Sequence, residues 1–392
     1  MMKPLDDVRV LDLSGFIAGA YGTGMLASFG AEVIMIEPVT GSFMRSVAQL
    51  DPGLKRLPSL VNHDKKSLAL NLKTEEGKDI FKALVGKSDV LVETYMPGVM
   101  ARLGLDYPAL RDINPGLVYL SQTAYGQTGP RSQDVGYDAG VQATSGMQTL
   151  RERPEVAPPV FADIVSSVYG AIGILFALWH KRKSGRGQYI DLSNNDAMFS
   201  QNYLSFLRIV WEGLPDIMIK MSCHPPRCLL GCFKAKDGYV ATSILQQEQW
   251  VAASRAMGEP RLLEDERFAN ILNRAMNDEA AVAIIEDWTT RHTRDEVVEA
   301  MNRTGTPCAK VLTVEEVAED PQLRFRGMFT EVRDDNIGAI KIPAVPFKMS
   351  DIAPELRRAA PRLGEHTEEL MTSLLGYSRT QVAEMKGQGV IA

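Results

Sequence analysis

Short apolar runs alternate with helix-period segments through the first third of the chain, the signature of βαβ units wound around a parallel sheet. Val8–Leu13, Ala31–Glu37, Ser67–Asn71, Asp89–Val92 and Leu117–Ser121 read as buried strands. A Gly/Ala-rich helix over Ala18–Phe29, a helix over Thr74–Gly86 and a short helical stretch to about Ile113 supply the crossovers. Parallel strands need such crossovers, and the helices then cover both faces of the sheet. The expected fold class is α/β, with a Rossmann-like, doubly wound large domain.

Beyond the strands, Thr123–Pro159 is rich in Gly, Ser, Thr, Gln and Pro, with one helical patch near Gly140–Met147. Irregular segments of that length inside a domain tend to be functional or disordered. A clear helix follows from Ile164 to about Lys183, with Asp163 at its N-cap and Gly185 beyond a basic last turn. A strand over Gln188–Leu192 and a helix near Asn195–Val210 complete the first part of the large domain, residues 1–210. The stretch 211–227 has no settled period and holds three prolines, which marks a linker. Asp237-Gly238 between Cys232–Lys236 and Tyr239–Ser243 is a hairpin signal, and helices over Gln247–Met257, Asp278–Thr289 and Arg294–Arg303 follow. Residues 228–330 therefore read as a smaller α+β domain, and 331–392 as a return to the large one. In that tail Leu370, Met371, Leu374 and Leu375 share a helical face, and His366 reads as a solvated residue at the helix start.

Composition removes several function classes. With 43 Lys+Arg against 49 Asp+Glu the chain has no basic surplus, so nucleic acid and acidic membrane surfaces are not expected partners. The first residues carry acids and a proline rather than a signal sequence, and the apolar-leaning run Ile164–Trp179 is too short to span a bilayer comfortably. A cytoplasmic protein without membrane association is expected. Cys223, Cys228, Cys232 and Cys308 are too few for a disulfide framework, and the spacing around Cys223-His224 lacks a C-x-x-C pair, so no metal site is expected.

Gly15, Gly19, Gly22 and Gly24 imitate a dinucleotide-binding turn, but their order is nearer G-x-x-G-x-G than G-x-G-x-x-G. Close helix–sheet packing explains them without a nicotinamide. No G-x-S-x-G surrounds Ser14 or Ser145, so a hydrolase elbow has no support. Asp163 has two readings. As an N-cap it is ordinary. As a nucleophile it would sit where a helix N-terminus lowers a carboxylate pKa, with the small residues Ser166, Ser167 and Gly170 leaving room for a substrate. Residue patterns alone leave both open.

The segments Ala31–Pro38, Lys65–Lys73, Asp89–Gly104, Asn114–Pro130, Asp163–Asp191 and Pro361–Leu370 resemble, in order and over nearly the whole chain, the family III CoA-transferases of the CaiB/BaiF class. The resemblance implies a two-domain protomer and an interlocked homodimer. It implies transfer of CoA from an acyl-CoA to an acceptor carboxylic acid through an aspartyl mixed anhydride and an aspartyl-CoA thioester, with CoA as substrate and no tightly bound cofactor. Asp163 matches the catalytic aspartate, and Tyr137 and Asp138 a Tyr-acid pair beside it. Phe16, Ala18, Leu70, Asn71, Lys73, Thr94, Tyr95 and Arg102 match positions lining the CoA groove, with Lys73 and Arg102 as phosphate partners. The common E-N-F-x-P-G is here Glu93-Thr94-Tyr95-Met96-Pro97-Gly98, and the glycine-rich loop of formyl-CoA transferases has no counterpart near Ser243–Glu248, which argues against formyl/oxalate specificity. An α-methylacyl-CoA racemase of the same fold is the alternative, but its G-H-D is here Gly136-Tyr137-Asp138, and a neutral Tyr is a poor base near pH 7. A non-catalytic CoA-binding subunit of a heteromer is the third reading.

Overall fold

A computed structural model describes residues 3–150, 154–156, 160–202, 210–213, 225–335 and 337–392. The chain divides into two compact units, one of Met1–Gln148, Val156–Gln201 and Gln322–Ala392, the other of Thr149–Glu155 and Asn202–Pro321. Much of 211–227, the C-terminal part of the helix expected to reach Val210, and Cys223-His224 lie outside the described residues.

The larger unit is built on six parallel strands, β1 (Arg9–Leu13), β2 (Glu32–Glu37), β3 (Lys66–Ala69), β4 (Val90–Glu93), β5 (Val118–Thr123) and β6 (Tyr189–Ser193), in the order β3-β2-β1-β4-β5-β6. This is the doubly wound order of dinucleotide-binding folds, and all five pairings are parallel. The inner strands β1, β2 and β4 are near-continuous buried runs because helices cover both faces, whereas the edge strand β6 is largely exposed or half-buried. On one face Leu11, Ile34, Leu68 and Leu91 pack with Ile80, Phe81 and Leu84 of a helix over Glu75–Val85. On the other, Val10, Val33, Val92 and Leu120 pack with Leu26 of α1 (Ala20–Ser28) and with Ala171, Ile174 and Ala177 of a long helix. The C-terminal segment closes the first face, through Leu370, Met371, Val382, Met385 and Ile391. His366 there is half-buried rather than solvated, because its Nδ1 accepts the Ser67 N–H at 3.3 Å; burial lowers its pKa.

Two short helices concern the site: α2 (Val99–Leu103) after β4, and α3 (Asp138–Thr144). The long helix, α4 (Phe161–Ser184), is 24 residues and begins three residues before the sequence pattern places it. By length and composition alone it could cross a membrane, which the shorter run Ile164–Trp179 did not indicate. Its buried residues Ala162, Ser166, Gly170, Ile174 and Leu178 recur every fourth position and face the domain core.

The smaller unit holds an antiparallel sheet, β7 (Leu230–Ala235), β8 (Gly238–Ser243) and β9 (Cys308–Lys310), around a core of Phe233, Trp250, Phe268 and Ile285. The Asp237-Gly238 turn forms the expected hairpin. A second hairpin, β10 (Phe329–Asp334) with β11 (Gly338–Pro343), belongs to the larger unit and was not apparent in the sequence.

Candidate active site

In an open parallel sheet, ligands bind beyond the carboxyl ends of the strands where the winding direction reverses. Here that point lies between β1 and β4, which run side by side with Leu13 opposite Glu93. The chain leaves these strand ends as Ser14–Gly19 on one side and Thr94-Tyr95 on the other. Gly19 is the pivot of the first loop. Its φ is 80°, and a Cβ there would lie 3.0 Å from both Ser14 Cβ and Thr94 Cγ2. Its N–H donates to Ser167 Oγ at 3.0 Å, tying the loop to α4.

A buried ion pair supports the loop from behind. Lys65 Nζ donates to Asp12 Oδ2 (2.8 Å), Ala20 O (2.9 Å), Thr23 Oγ1 (2.8 Å) and Asn62 Oδ1 (2.8 Å). Asp12 also accepts from the Ser14 N–H, the Ser14 hydroxyl and Thr23 Oγ1. Burial pushes the Asp12 carboxyl up, but the Lys65 charge and these donors outweigh it and hold the pKa below the usual range. The pair locks β1, α1 and the segment before β3 together.

Asp163 stands in the first turn of α4, at its third position; the N-cap is Val160. Val160 is left-handed (φ 64°), a conformation costly for a β-branched residue, and it supplies no cap. The cap comes from elsewhere in the chain. Asp138, opening α3, accepts the Ala162 N–H at 2.7 Å through Oδ1 and the Gln142 side chain at 2.7 Å through Oδ2. Asp163 is thus freed from capping, and its carboxylate takes no hydrogen bond among the described residues. A helix N-terminus should lower its pKa. Instead burial, joined by the charge of Asp138, raises it to about 7. The result is a carboxyl of high proton affinity held near its titration point, and a more basic, less hydrated carboxylate is a stronger nucleophile.

Ser166 and Ser167 do not leave space beside Asp163 as the sequence suggested. Both are buried, and Ser167 Oγ bonds Asp163 O at 2.7 Å and Ser166 Oγ bonds Ala162 O at 2.7 Å. A Cβ on Gly22 would lie 2.6 Å from Ser167 O, so these small residues let α1 and α4 touch backbone to backbone. The α1 glycine therefore serves helix–helix contact, not only helix–sheet packing.

Phe16 and Ala18 lie half-buried in the first loop, and Thr94 and Tyr95 half-buried at the end of β4. Lys73, after β3, and Arg102, in the last turn of α2, are exposed cations in no ion pair among the described residues. Leu70 is a core side chain paired with Ile391, so it has only main chain to offer a ligand. Asn71 is committed locally: Nδ2 donates to Gly389 O at 3.3 Å and Oδ1 accepts Lys73 N–H at 3.1 Å. Tyr137 is the N-cap residue of α3 and is 78% exposed.

Sequence reasoning missed Glu93. Its Oε2 accepts the Tyr95 N–H at 2.8 Å and its other oxygen takes the Ser121 hydroxyl, so it shapes the Thr94-Tyr95 turn. Burial raises its pKa to about 7. Gln122 was also missed; its Nε2 donates to Ser166 Oγ (2.9 Å) and Asn194 Oδ1 (3.0 Å), fixing α4 on β5. The position of Glu93 at a strand end was the available signal for it; nothing marked Gln122. Cys228 is buried and Cys232 exposed, and among the described residues no three His, Cys, Asp or Glu side chains gather as a metal site.

These features define a doubly wound α/β protein whose candidate site carries a carboxyl of raised pKa in the first turn of α4. Residues 5–367 match the model of CoA-transferase family III, and the chain belongs to that family. It is 32% identical to the succinyl-CoA–L-malate CoA-transferase alpha subunit of Chloroflexus aurantiacus, covering 99% of this chain and 92% of that protein. It is 30% identical to the human succinyl-CoA:glutarate CoA-transferase, covering all of this chain and 90% of the other. A CAIB/BAIF family protein from Brucella suis superposes with a TM-score of 0.81 at 28% identity, over 95% of this chain and 100% of that one. The chain is a CoA-transferase.

Proposed function

We propose that the protein moves CoA from an acyl-CoA thioester to a free carboxylic acid through covalent intermediates on Asp163. The observation that carries this reading is the Asp163 carboxyl: first turn of α4, no hydrogen-bond partner among the described residues, and a pKa raised to about 7. In the first step an Asp163 oxygen attacks the thioester carbonyl, the C–S bond breaks, and CoA thiolate leaves a mixed anhydride. The thiolate then attacks the Asp163 carbonyl and expels the donor acid, giving an aspartyl-CoA thioester. An acceptor carboxylate attacks that thioester, and the released thiolate takes the new acyl group and frees Asp163. Each exchange trades one thioester or anhydride for another, so no external energy source is needed.

In this reading CoA lies along Phe16, Ala18, Asn71, Thr94, Tyr95 and the main chain at Leu70, with Lys73 and Arg102 free to meet its phosphates. Asp138 is a positioning residue: it caps α4 and its charge keeps Asp163 basic. Tyr137, the residue before Asp138 and the N-cap of α3, is assigned to stabilising the developing oxyanion. CoA enters as substrate and no cofactor is held tightly. A cytoplasmic location and an interlocked homodimer are part of this proposal; the apolar outer stripe of α4, where Phe176 is 72% and Trp179 60% exposed, supports association through that face.

Intact-protein mass spectrometry after incubation with acyl-CoAs and no acceptor tests the proposal. A CoA-sized adduct on Asp163, absent in Asp163→Ala, is expected. No adduct from any donor, with α-proton exchange into deuterated water, would replace transfer by racemisation.

A further inference from the structure

Ser167 makes two hydrogen bonds through its hydroxyl, and only one of them is ordinary for a serine inside a helix. Such a serine commonly returns its proton to the carbonyl four residues back. Ser167 does so, donating to Asp163 O at 2.7 Å. The same oxygen also accepts the Gly19 N–H at 3.0 Å, from a loop 148 residues earlier in the chain. The residue is buried, so both bonds are shielded from water. A hydroxyl has one proton and two lone pairs. Here the proton goes to the main chain of Asp163 and a lone pair to the first loop, which joins the two through a single atom.

Ser166, one residue away and equally buried, is connected differently. Its Oγ reaches Ala162 O (2.7 Å) and Asp163 O (3.1 Å) and accepts from Gln122 Nε2 (2.9 Å), so it fastens the start of α4 to β5 rather than to the loop. Gly19 has no room to shift in compensation. The 3.0 Å approach that a Cβ there would make to both Ser14 Cβ and Thr94 Cγ2 shows the two strand-end loops closing on it from either side. The main chain of Ser167 is packed as well, with its carbonyl oxygen 2.6 Å from the place a Cβ on Gly22 would take. One residue is thus pinned to the first loop, to α1 and to the Asp163 turn.

We propose that Ser167 is a positioning residue for acyl transfer: it sets the separation between the Phe16–Ala18 loop and Asp163, so that a thioester laid along the loop meets the Asp163 oxygen. The inference rests on Asp163 as the acyl acceptor. Without the bridge both ends remain but lose their register, and a misplacement of about 1 Å costs on the order of a hundredfold in rate. The effect falls on the covalent step rather than on binding, because a buried Ser167 offers CoA no surface.

The test is single-turnover labelling of Asp163 over a range of donor concentrations, using whichever of acetyl-, butyryl-, phenylacetyl- and succinyl-CoA labels the unmodified protein fastest. Ser167→Ala should lower the limiting rate at least about tenfold, while the half-saturating donor concentration and the calorimetric Kd for CoA move by less than about threefold. Ser167→Cys fills the same space with a weakly bonding sulfur and should lose rate to a similar degree. Ser166→Ala, an equally buried loss one residue away, should keep the limiting rate within about threefold. Amide hydrogen exchange of the Ser14–Ala20 segment should quicken in both Ser167 variants and not in Ser166→Ala. Unchanged limiting rates in the Ser167 variants, whatever their melting temperatures, overturn the positioning role and leave Asp163 chemistry standing. An equal loss in Ser166→Ala, a loss expressed in CoA affinity alone, or failure of both Ser167 variants to fold also overturns it. No labelling of the unmodified protein by any donor removes the Asp163 reading and this inference with it.

Discussion

Asp163 sits under opposing influences, and their balance sets its behaviour with pH. The helix end favours the anion; burial and Asp138 favour the acid, and they win, leaving a pKa of about 7 against an ordinary 3.8. Labelling by acyl-CoA needs the carboxylate, so its rate should rise with pH through about 7 and level above it, as followed by mass spectrometry from pH 5.5 to 8.5. The same shift has a thermodynamic face. The folded protein binds the Asp163 proton more tightly than the unfolded chain, so this residue's contribution to stability falls as pH rises from about 4 to about 7. Asp163→Asn should therefore abolish labelling yet melt higher than the native protein at pH 8, by on the order of 2 kcal/mol in stability, with the gap closing toward pH 4; calorimetry at both pH values checks it. The acid and the helix were legible in the sequence, because both are local. The raised pKa was not, because it comes from burial and from Asp138, which reaches Ala162 across 24 positions of the sequence.

At the scale of elements, the buried Asp12–Lys65 pair holds the first loop in place. Lys65→Met should cost roughly 3–5 kcal/mol, since it strands a buried carboxylate, whereas Asp12→Leu with Lys65→Met should recover most of that loss in urea denaturation. Gly22→Val belongs here too: its side chain would collide with Ser167 O, force α1 off α4, and lower stability by about 1–3 kcal/mol while weakening acyl-CoA binding. Strands β1, β2 and β4 of the parallel sheet were readable as apolar runs because burial on both faces leaves little polar alternation. The β10–β11 hairpin was not, since only Val332, Ile340 and Ile342 turn inward among charged neighbours and no two-residue turn joins the strands. The last helix, Arg379–Gly387, carried its signal in the Ser378…Gln381 capping box, but a polar outer face hid it.

For the molecule as a whole, the feature with the widest reach is α4, apolar on the side that meets the sheet and on the side that does not. Tyr169, Ile172, Leu175, Phe176 and Trp179 stand partly or largely exposed along its outer surface. Phe176→Asp with Trp179→Glu should convert a dimer to a monomer in sedimentation velocity without lowering helix content. If that stripe is what binds the second subunit, then each folded chain draws part of its free energy from its own kind, and its melting temperature should climb with the logarithm of protein concentration. Abundance would then act as a stabilising ligand. A cell that makes too little of the protein would lose more of it to proteolysis than a simple proportion predicts.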